Sequence, residues 1–337
     1  MSGADINRDS IFPKLPFPTS YNANLFEDKY SYAVDAHAQA VGDINGDGLD
    51  DIIIGSMWDA PYELVQDLNG KFSINNQDIY TQLRLWPLTN AGAGEGKNIM
   101  LSMNLSDVNG DGYDDLITGH GHGSTSSKVF INNNGVFSED SMINLPDSIY
   151  GIDNQMHMKT MANDFDHDGD IDLAIQWSRF EPYYGGNYIQ ILINNGTGEL
   201  IDMSDTAFPI QPRSGSHHGE GNIYLKDMNL DGNLDIIHST RDYNSGYHGA
   251  HIAINDGNGN FTSLLNTDLP SKPNPGYNNY HFLMKSLPIN IDNEGCMDFI
   301  SVTDSGWETS SAETSNYFFS VINLSLIHIS EPTRQEA

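Results

Sequence analysis

The chain has 337 residues and a formal net charge of −31, from 46 Asp and Glu residues against 15 Lys and Arg residues. A surface of this sign repels nucleic acids and anionic membranes, so we exclude both as partners. The single cysteine excludes an intramolecular disulfide, and no run of about eighteen apolar residues predicts a membrane span. Hydrophobic residues make up 38% of the chain and recur in strand-like runs, which excludes a disordered protein.

Residues 1–34 come before the first repeated unit and are too short to form such a unit alone. They contain no apolar stretch of the kind that a signal peptide requires. We expect them to be an N-terminal segment, or a partial unit that supplies outer strands to close the fold.

An acidic loop begins at Asp43 and recurs along the chain with glycine always at its sixth position. Oxygen-bearing side chains occupy positions 1, 3, 5 and 9 of each copy. These residues are Asp43, Asn45, Asp47 and Asp51; Asp107, Asn109, Asp111 and Asp115; Asp164, Asp166, Asp168 and Asp172; Asp227, Asn229, Asp231 and Asp235; and Asn290, Asp292, Glu294 and Asp298. Calcium takes about six to eight oxygen ligands, and this spacing resembles the first half of an EF-hand loop. We predict four calcium loops and a fifth, weaker one, in which Asn290 and Glu294 depart from the pattern.

The residues that follow each loop predict a strand and not the helix of an EF-hand. Position 12 of the third copy is Ile175, where an EF-hand would carry a bidentate Glu. Aliphatic runs such as residues 52–54 and 173–175 are typical of strands buried on both faces. Turns that contain Asn-Gly or Asp-Gly, such as the one at Asn194, come later in the units and indicate hairpins.

Each unit therefore contains four antiparallel strands, and the units repeat about every 60 residues, a period typical of repeat architectures. Four-stranded antiparallel units in succession predict an all-β protein with the blades of a β-propeller. A β-solenoid is the competing architecture, but its repeats are much shorter.

The segment Gly42-Asp-Ile-Asn-Gly-Asp-Gly-Leu-Asp-Asp-Ile-Ile-Ile-Gly55 resembles the FG-GAP/VCBS repeat, which builds the propeller of integrin α subunits and of many bacterial surface proteins. The resemblance extends over about residues 35–323. It implies a propeller, commonly of seven blades, with calcium bound between the first two strands of a blade. It also implies that backbone carbonyls at position 7 are ligands, namely those of Leu49, Tyr113, Asp170 and Asn233, with Cys296 at this position of the fifth loop.

About five blades are present in this sequence, and we expect further blades in the intact protein. The predicted boundaries are residues 35–96, 97–154, 155–214, 215–277 and 278–323. Residues 324–337 resemble the translation of a sequencing-library adapter, so we expect them to be a non-native tail outside the fold.

The connections at the opposite end of the blades from the acidic loops are rich in aromatic residues and histidines. Loops on a rigid scaffold often carry binding residues, and exposed Trp and Tyr suit sugar rings or protein partners. The candidates are Trp58, Tyr62, His120, His122, Trp177, Tyr183, Tyr184, Tyr243, Tyr247 and Trp307. The alternative is that these rings only pack at the ends of the blades.

The sequence favours an extracellular or cell-surface recognition or adhesion module that binds an unknown protein or glycan and is stabilised by calcium. External calcium, at millimolar concentration, would fill such loops, whereas resting cytosolic calcium would not. One alternative is the propeller part of a carbohydrate-active enzyme such as a lyase or dehydratase, although no catalytic motif is present. The other is a scaffold without a ligand.

Overall fold

The structure is a computed structural model, and it describes most of the chain between residues 38 and 322. The described residues are 11–13, 38–55, 61–75, 100–121, 126–182, 185–209, 223–241, 248–263, 282–289, 298–304 and 317–322. They form four four-stranded antiparallel sheets and one three-stranded sheet, which confirms the all-β prediction. Most of residues 1–34, the whole of residues 324–337 and most of the fifth acidic loop lie outside the described residues.

The strands of each sheet are consecutive in the chain. The first sheet contains β1 (Ala38–Gly42), β2 (Asp51–Gly55), β3 (Tyr62–Gln66) and β4 (Phe72–Asn75). The second contains β5 (Met100–Ser106), β6 (Asp115–His120), β7 (Lys128–Phe130) and β8 (Met142–Asn144). The third contains β9 (Gln155–Asn163), β10 (Asp172–Arg179), β11 (Gly185–Asn194) and β12 (Leu200–Asp202).

The fourth sheet contains β13 (Ile223–Lys226), β14 (Asp235–Arg241), β15 (His248–Asn255) and β16 (Phe261–Ser263). The fifth contains β17 (Phe282–Ile289), β18 (Asp298–Asp304) and β19 (Tyr317–Ile322). A 3₁₀ turn (Glu139–Ser141) and a one-turn helix (Ser204–Ala207) interrupt this pattern only briefly. No helix among the described residues is long and apolar enough to cross a membrane.

Every sheet is an antiparallel meander in which strands that follow one another in the chain are hydrogen-bonded neighbours. Each acidic loop joins the first two strands of its sheet. The strand residues on either side of the loop are register partners: Gly42 and Asp51 in the first sheet, Ser106 and Asp115 in the second, and Asn163 and Asp172 in the third. The same register places these loops at one end of every sheet. The opposite end carries the connections between the second and third strands.

The sheets follow one another through their first strands, because β1 packs beside β5, β5 beside β9 and β9 beside β13. The remaining strands of each sheet extend outward from these first strands in sequence order. This arrangement is that of propeller blades, whose innermost strands surround a common axis.

The hydrophobic cores lie between neighbouring blades. Alternate residues of β10 face opposite sides, as the period of a strand requires: Leu173 and Ile175 pack toward the second blade, and Ala174 packs toward the fourth. All three side chains are 0% exposed. Burial on both faces, which the sequence predicted for the strand after the acidic loop, is confirmed for β6 and β10.

The first blade departs from this prediction. In β2, Ile53 is buried in the core shared with the second blade, whereas Ile52 and Ile54 on the other face are only partly buried. No described sheet covers that face. Ile11 and Phe12 lie there instead, and the Phe12 ring stacks on Phe72 with ring centroids 4.9 Å apart.

Candidate metal centres

The third acidic loop, between β9 and β10, gathers the densest set of carboxylates among the described residues. One oxygen each from Asp164, Asp166 and Asp172 lies within 4.8 Å of the other two. These are positions 1, 3 and 9 of the loop. Three carboxylates so close together repel one another, and a hard divalent cation would neutralise this repulsion.

Backbone hydrogen bonds fix the side chain at position 1 in the same way in all four described loops. In the first loop, Asp43 Oδ1 accepts the N–H of Asp47 at 3.1 Å, and Asp43 Oδ2 accepts that of Gly48 at 2.7 Å. Asp107, Asp164 and Asp227 accept from the corresponding residues of their loops. The backbone therefore wraps around the first carboxylate, as a loop that encloses a cation does.

The side chains at positions 3 and 5 form Asx turns that orient them toward the loop interior. Asp166 Oδ1 accepts the N–H of Asp168 at 3.2 Å, and Asp168 Oδ1 accepts that of Asp170 at 3.0 Å. Gly169, at position 6, has a φ of 101°, which explains why glycine recurs there. The sequence did not indicate that position 4 also has positive φ, since His167 and Leu230 occupy it in the third and fourth loops.

Position 9 is the buried side of each loop. Asp172 is 0% exposed, and its two oxygens accept the N–H groups of Phe165 and Asn194, both at 2.8 Å. The other position-9 residues, Asp51, Asp115 and Asp235, are equally buried. Each accepts the N–H of position 2 of its own loop and an N–H at or just after the end of the third strand. The carboxylate at position 9 thus connects the start of its own loop to the end of the third strand.

Burial raises the pKa of the position-9 carboxyl groups, because the charged form loses hydration, and the backbone donors offset this only in part. The pKa rises to about 6 at Asp51, Asp172 and Asp235 and to about 7 at Asp115. A bound cation would act in the opposite direction and favour the ionised form.

These shifts predict that the calcium-free protein loses stability as the pH rises. Because the folded-state pKa lies above the ordinary value of about 3.9, the protonated form stabilises the fold below pH 4, and this contribution is lost as the pH rises through about 6 to 7. The melting temperature of metal-stripped protein should fall by roughly 5 °C or more between pH 5 and pH 8. The same scans in saturating calcium are the control, where the fall should be absent. A fall of equal size in calcium would contradict the assignment.

The residues present suit calcium. All candidate side-chain donors of the four described loops are carboxylate or amide oxygens, without a sulfur or an imidazole nitrogen. Hard oxygen donors select calcium or magnesium over transition metals. In the third loop, Asp164, Asp166 and Asp172 would hold the ion. When bound, calcium would supply charge neutralisation and cross-link the two strands that the loop joins.

The fifth predicted loop is described only at its last ligand position, Asp298. Its other predicted ligands lie outside the described residues, namely Asn290, Asp292, Glu294 and Cys296. Asp298 begins β18 and pairs with Ile289 at the end of β17, as the position-9 residues of the other blades pair with the end of their first strands.

Two residues predicted for the ligand face are buried, and this part of the prediction is wrong. Trp177 is 1% exposed, and its Nε1–H donates to Gln190 Oε1 at 2.8 Å inside the core between the second and third blades. The reason is that β10 continues to Arg179, so Trp177 lies within a strand and not in a loop. His120 ends β6, is 5% exposed, and burial lowers its pKa to about 4.

Tyr62 is also not in a loop, because it begins β3 and packs beside Leu64 and Phe72 on the outer face of the first blade. The other ligand-face candidates lie outside the described residues. These are Trp58, His122, Tyr183, Tyr184, Tyr243, Tyr247 and Trp307.

Two sets of residues near the loops were not predicted from the sequence: the apolar residues at position 2, and the asparagines of the hairpin turns, of which Asn194 was identified only as part of a turn. Phe165 is 0% exposed and packs edge-on against Phe261 of the next blade, with ring centroids 5.4 Å apart. Ile44, Val108 and Met228 are buried at the same position. Asn132, Asn194 and Asn255 are each 1% exposed. The signal for both sets is their recurrence at equivalent places in the units.

Comparison with protein families matches the FG-GAP-like repeat at residues 107–175 and 164–238, and the FG-GAP repeat at residues 40–70. A comparison with characterised proteins found no match. The matched segments contain the four acidic loops described above, together with all or part of the strand that follows each loop. Residues 40–238 of the chain are therefore a succession of FG-GAP and FG-GAP-like repeats that fold as propeller blades.

Proposed function

We propose that the chain is an extracellular, calcium-binding β-propeller that serves as a recognition or adhesion module for a protein or glycan. The observation that carries the calcium part is the cluster of Asp164, Asp166 and Asp172 within a loop whose hydrogen bonds recur in three other blades. Repetition of the geometry supports one ion per loop, and the resemblance of the repeat to the integrin α propeller supports the recognition role.

The chemistry of the loops supports a location outside the cell. The first-position carboxylates lie in partly exposed loops, and extracellular calcium modules typically have dissociation constants of about 10⁻⁴–10⁻³ M. Such sites fill at millimolar external calcium and stay empty in resting cytosol. The net charge of −31 also keeps a secreted module soluble and repels anionic surfaces.

Calorimetric titration of metal-stripped protein with calcium tests the metal part. We expect at least four calcium ions per chain, with dissociation constants in the range of about 10⁻⁴–10⁻³ M. Magnesium at the same concentration is the control, and it should bind more weakly because it demands a smaller, more regular site. An absence of calcium binding up to 10 mM, about ten times the weakest expected constant, would contradict the proposal.

Glycan and extracellular-matrix protein arrays test the recognition part, with calcium-loaded protein as the probe and metal-stripped protein as the control. Recognition requires ordered loops, so binding should be specific to a ligand class and lost on calcium removal. Calcium binding without any array signal above the stripped control would favour the scaffold alternative.

A further inference from the structure

Three asparagines occupy equivalent places in consecutive blades, at the start of the hairpin turn. They are Asn132, Asn194 and Asn255, and each is 1% exposed. Asn194 and Asn255 end their third strands, and Asn132 lies two residues after the end of β7. Buried amides of this kind must have their donors and acceptors satisfied, so their partners identify what they hold together.

Each asparagine side chain joins two acidic loops that belong to neighbouring blades. Asn194 Nδ2 donates to the carbonyl of Val108 in the second loop at 2.7 Å and to that of Ile171 in the third loop at 3.1 Å. Asn132 Nδ2 donates to the carbonyl of Ile44 in the first loop at 2.8 Å and to that of Asp114 in the second loop at 2.9 Å. Asn255 Nδ2 donates to the carbonyl of Phe165 in the third loop at 3.0 Å and to that of Leu234 in the fourth loop at 3.4 Å.

The remaining polar groups of the asparagine are held by its own blade. The N–H of Asn194 donates to Asp172 at 2.8 Å, and Asn194 Oδ1 accepts the N–H of Gly196 at 3.2 Å. The asparagine is therefore fixed by the position-9 carboxylate of one loop while its side chain holds the position-2 carbonyl of the loop before it.

The hairpin turn that follows each asparagine lies close to the acidic loop of the preceding blade. A Cβ added to Gly198 would lie 3.7 Å from Asn109 Cβ, at position 3 of the second loop. Gly135 approaches Asn45 in the same way, and Gly259 approaches Asp166. Position 2 of each of these loops is therefore hydrogen-bonded to the next blade and position 3 lies close to it, so a rearrangement of one loop would disturb its contacts with the neighbouring blade.

We propose that Asn132, Asn194 and Asn255 are positioning residues that couple calcium binding in neighbouring blades. An ion that fixes one loop also fixes the asparagine that holds the loop before it, so less ordering remains when the second ion binds. Couplings of this kind typically change affinity by about 5- to 150-fold. The inference rests on the proposed calcium binding and extends it from separate sites to a connected series of loops.

Amide hydrogen exchange during calcium titration tests the coupling, because it reports a separate midpoint for the peptide that covers each loop. Asp168→Ala removes the candidate ligand at position 5 of the third loop without touching either asparagine contact. The calcium midpoints of the second and fourth loops, which are joined to the third, should rise by about 5-fold or more. The first loop is the internal control, since no asparagine joins it to the third, and its midpoint should change less.

A second variant assigns the coupling to the asparagine. In an Asn194→Ala background, Asp168→Ala should no longer shift the midpoint of the second loop but should still shift that of the fourth. Asn195→Ala is the matched control, because Asn195 lies in the same turn and its side chain bonds, among the described residues, to Glu199 and Thr197 of that turn. If Asn194→Ala fails to fold, Asn255→Ala gives the same comparison at the next junction.

The outcomes separate the inference from the function on which it rests. If calcium protects every loop but Asp168→Ala leaves the calcium midpoints of the second and fourth loops unchanged, the coupling is overturned and calcium binding stands. An absence of calcium-dependent protection in any loop of the unaltered chain would overturn both.

Discussion

Removal of calcium is expected to lower the melting temperature of the chain by roughly 10 °C or more. Binding at one site, at about a hundred times its dissociation constant, stabilises a folded protein by about 2.7 kcal/mol. About 1 kcal/mol shifts the melting temperature of a domain of about 150–250 residues by roughly 2–4 °C, and the shift is smaller for a longer chain such as this one. Four occupied loops in one cooperative unit would multiply the effect of a single ion.

The structural reason for so large an effect is that each loop joins the first and second strands of its blade. Without the ion, the cluster of Asp164, Asp166 and Asp172 retains its mutual repulsion, and the buried carboxyl at position 9 retains its raised pKa. Position 2 of the same loop, occupied by Phe165, contributes to the core with the next blade. Loosening a loop therefore loosens the packing between two blades.

Scanning calorimetry of metal-stripped protein, with and without calcium at about 100 times the measured dissociation constant, checks this expectation. Sodium chloride at equal ionic strength is the control for charge screening, which alone would stabilise a chain of net charge −31 to some extent. Equal melting temperatures with calcium and with the salt control would show that the loops do not depend on the ion.

Local patterns in the sequence were enough to predict the blades and the acidic loops. Glycine at position 6, as in Gly169, has the positive φ that the turn requires, and the aliphatic run after it forms a strand buried on both faces. Both features depend on neighbouring residues in the chain and on the two-residue period of a strand, so a single sequence contains the information.

Contacts between blades could not be predicted in the same way. Asn194 bonds to Val108, which is 86 residues away, and nothing in the local sequence identifies that partner. Trp177 was misplaced for a related reason, since the length of β10 and the cover supplied by the second blade decide whether its ring is exposed. Aromatic residues near strand ends therefore need the tertiary structure before they can be assigned to a binding face.

The second large effect is expected at Asp172, and it should appear even without calcium. Truncation to alanine leaves the buried N–H groups of Phe165 and Asn194 without their acceptor, and each buried unpaired group costs about 1–3 kcal/mol. At pH 5, where the raised pKa of about 6 keeps the Asp172 carboxyl largely uncharged, Asp172→Ala should therefore lower the free energy of unfolding of the metal-stripped protein by about 2–6 kcal/mol. Urea denaturation followed by circular dichroism measures this change.

Asp168→Ala is the matched comparison, because it removes a candidate ligand from the same loop but from an exposed position. Asp168 accepts the N–H of Asp170 within the loop, and water can replace the lost carboxylate at that exposed site. Its truncation should leave the metal-stripped protein nearly as stable as before and reduce only the stabilisation gained from calcium. Equal losses for the two variants in the absence of calcium would contradict the expectation, because they would show that the buried hydrogen bonds of Asp172 stabilise the fold no more than the exposed one of Asp168. A loss confined to Asp172→Ala would show that this residue holds the loop, the third strand and the next turn together before any ion arrives.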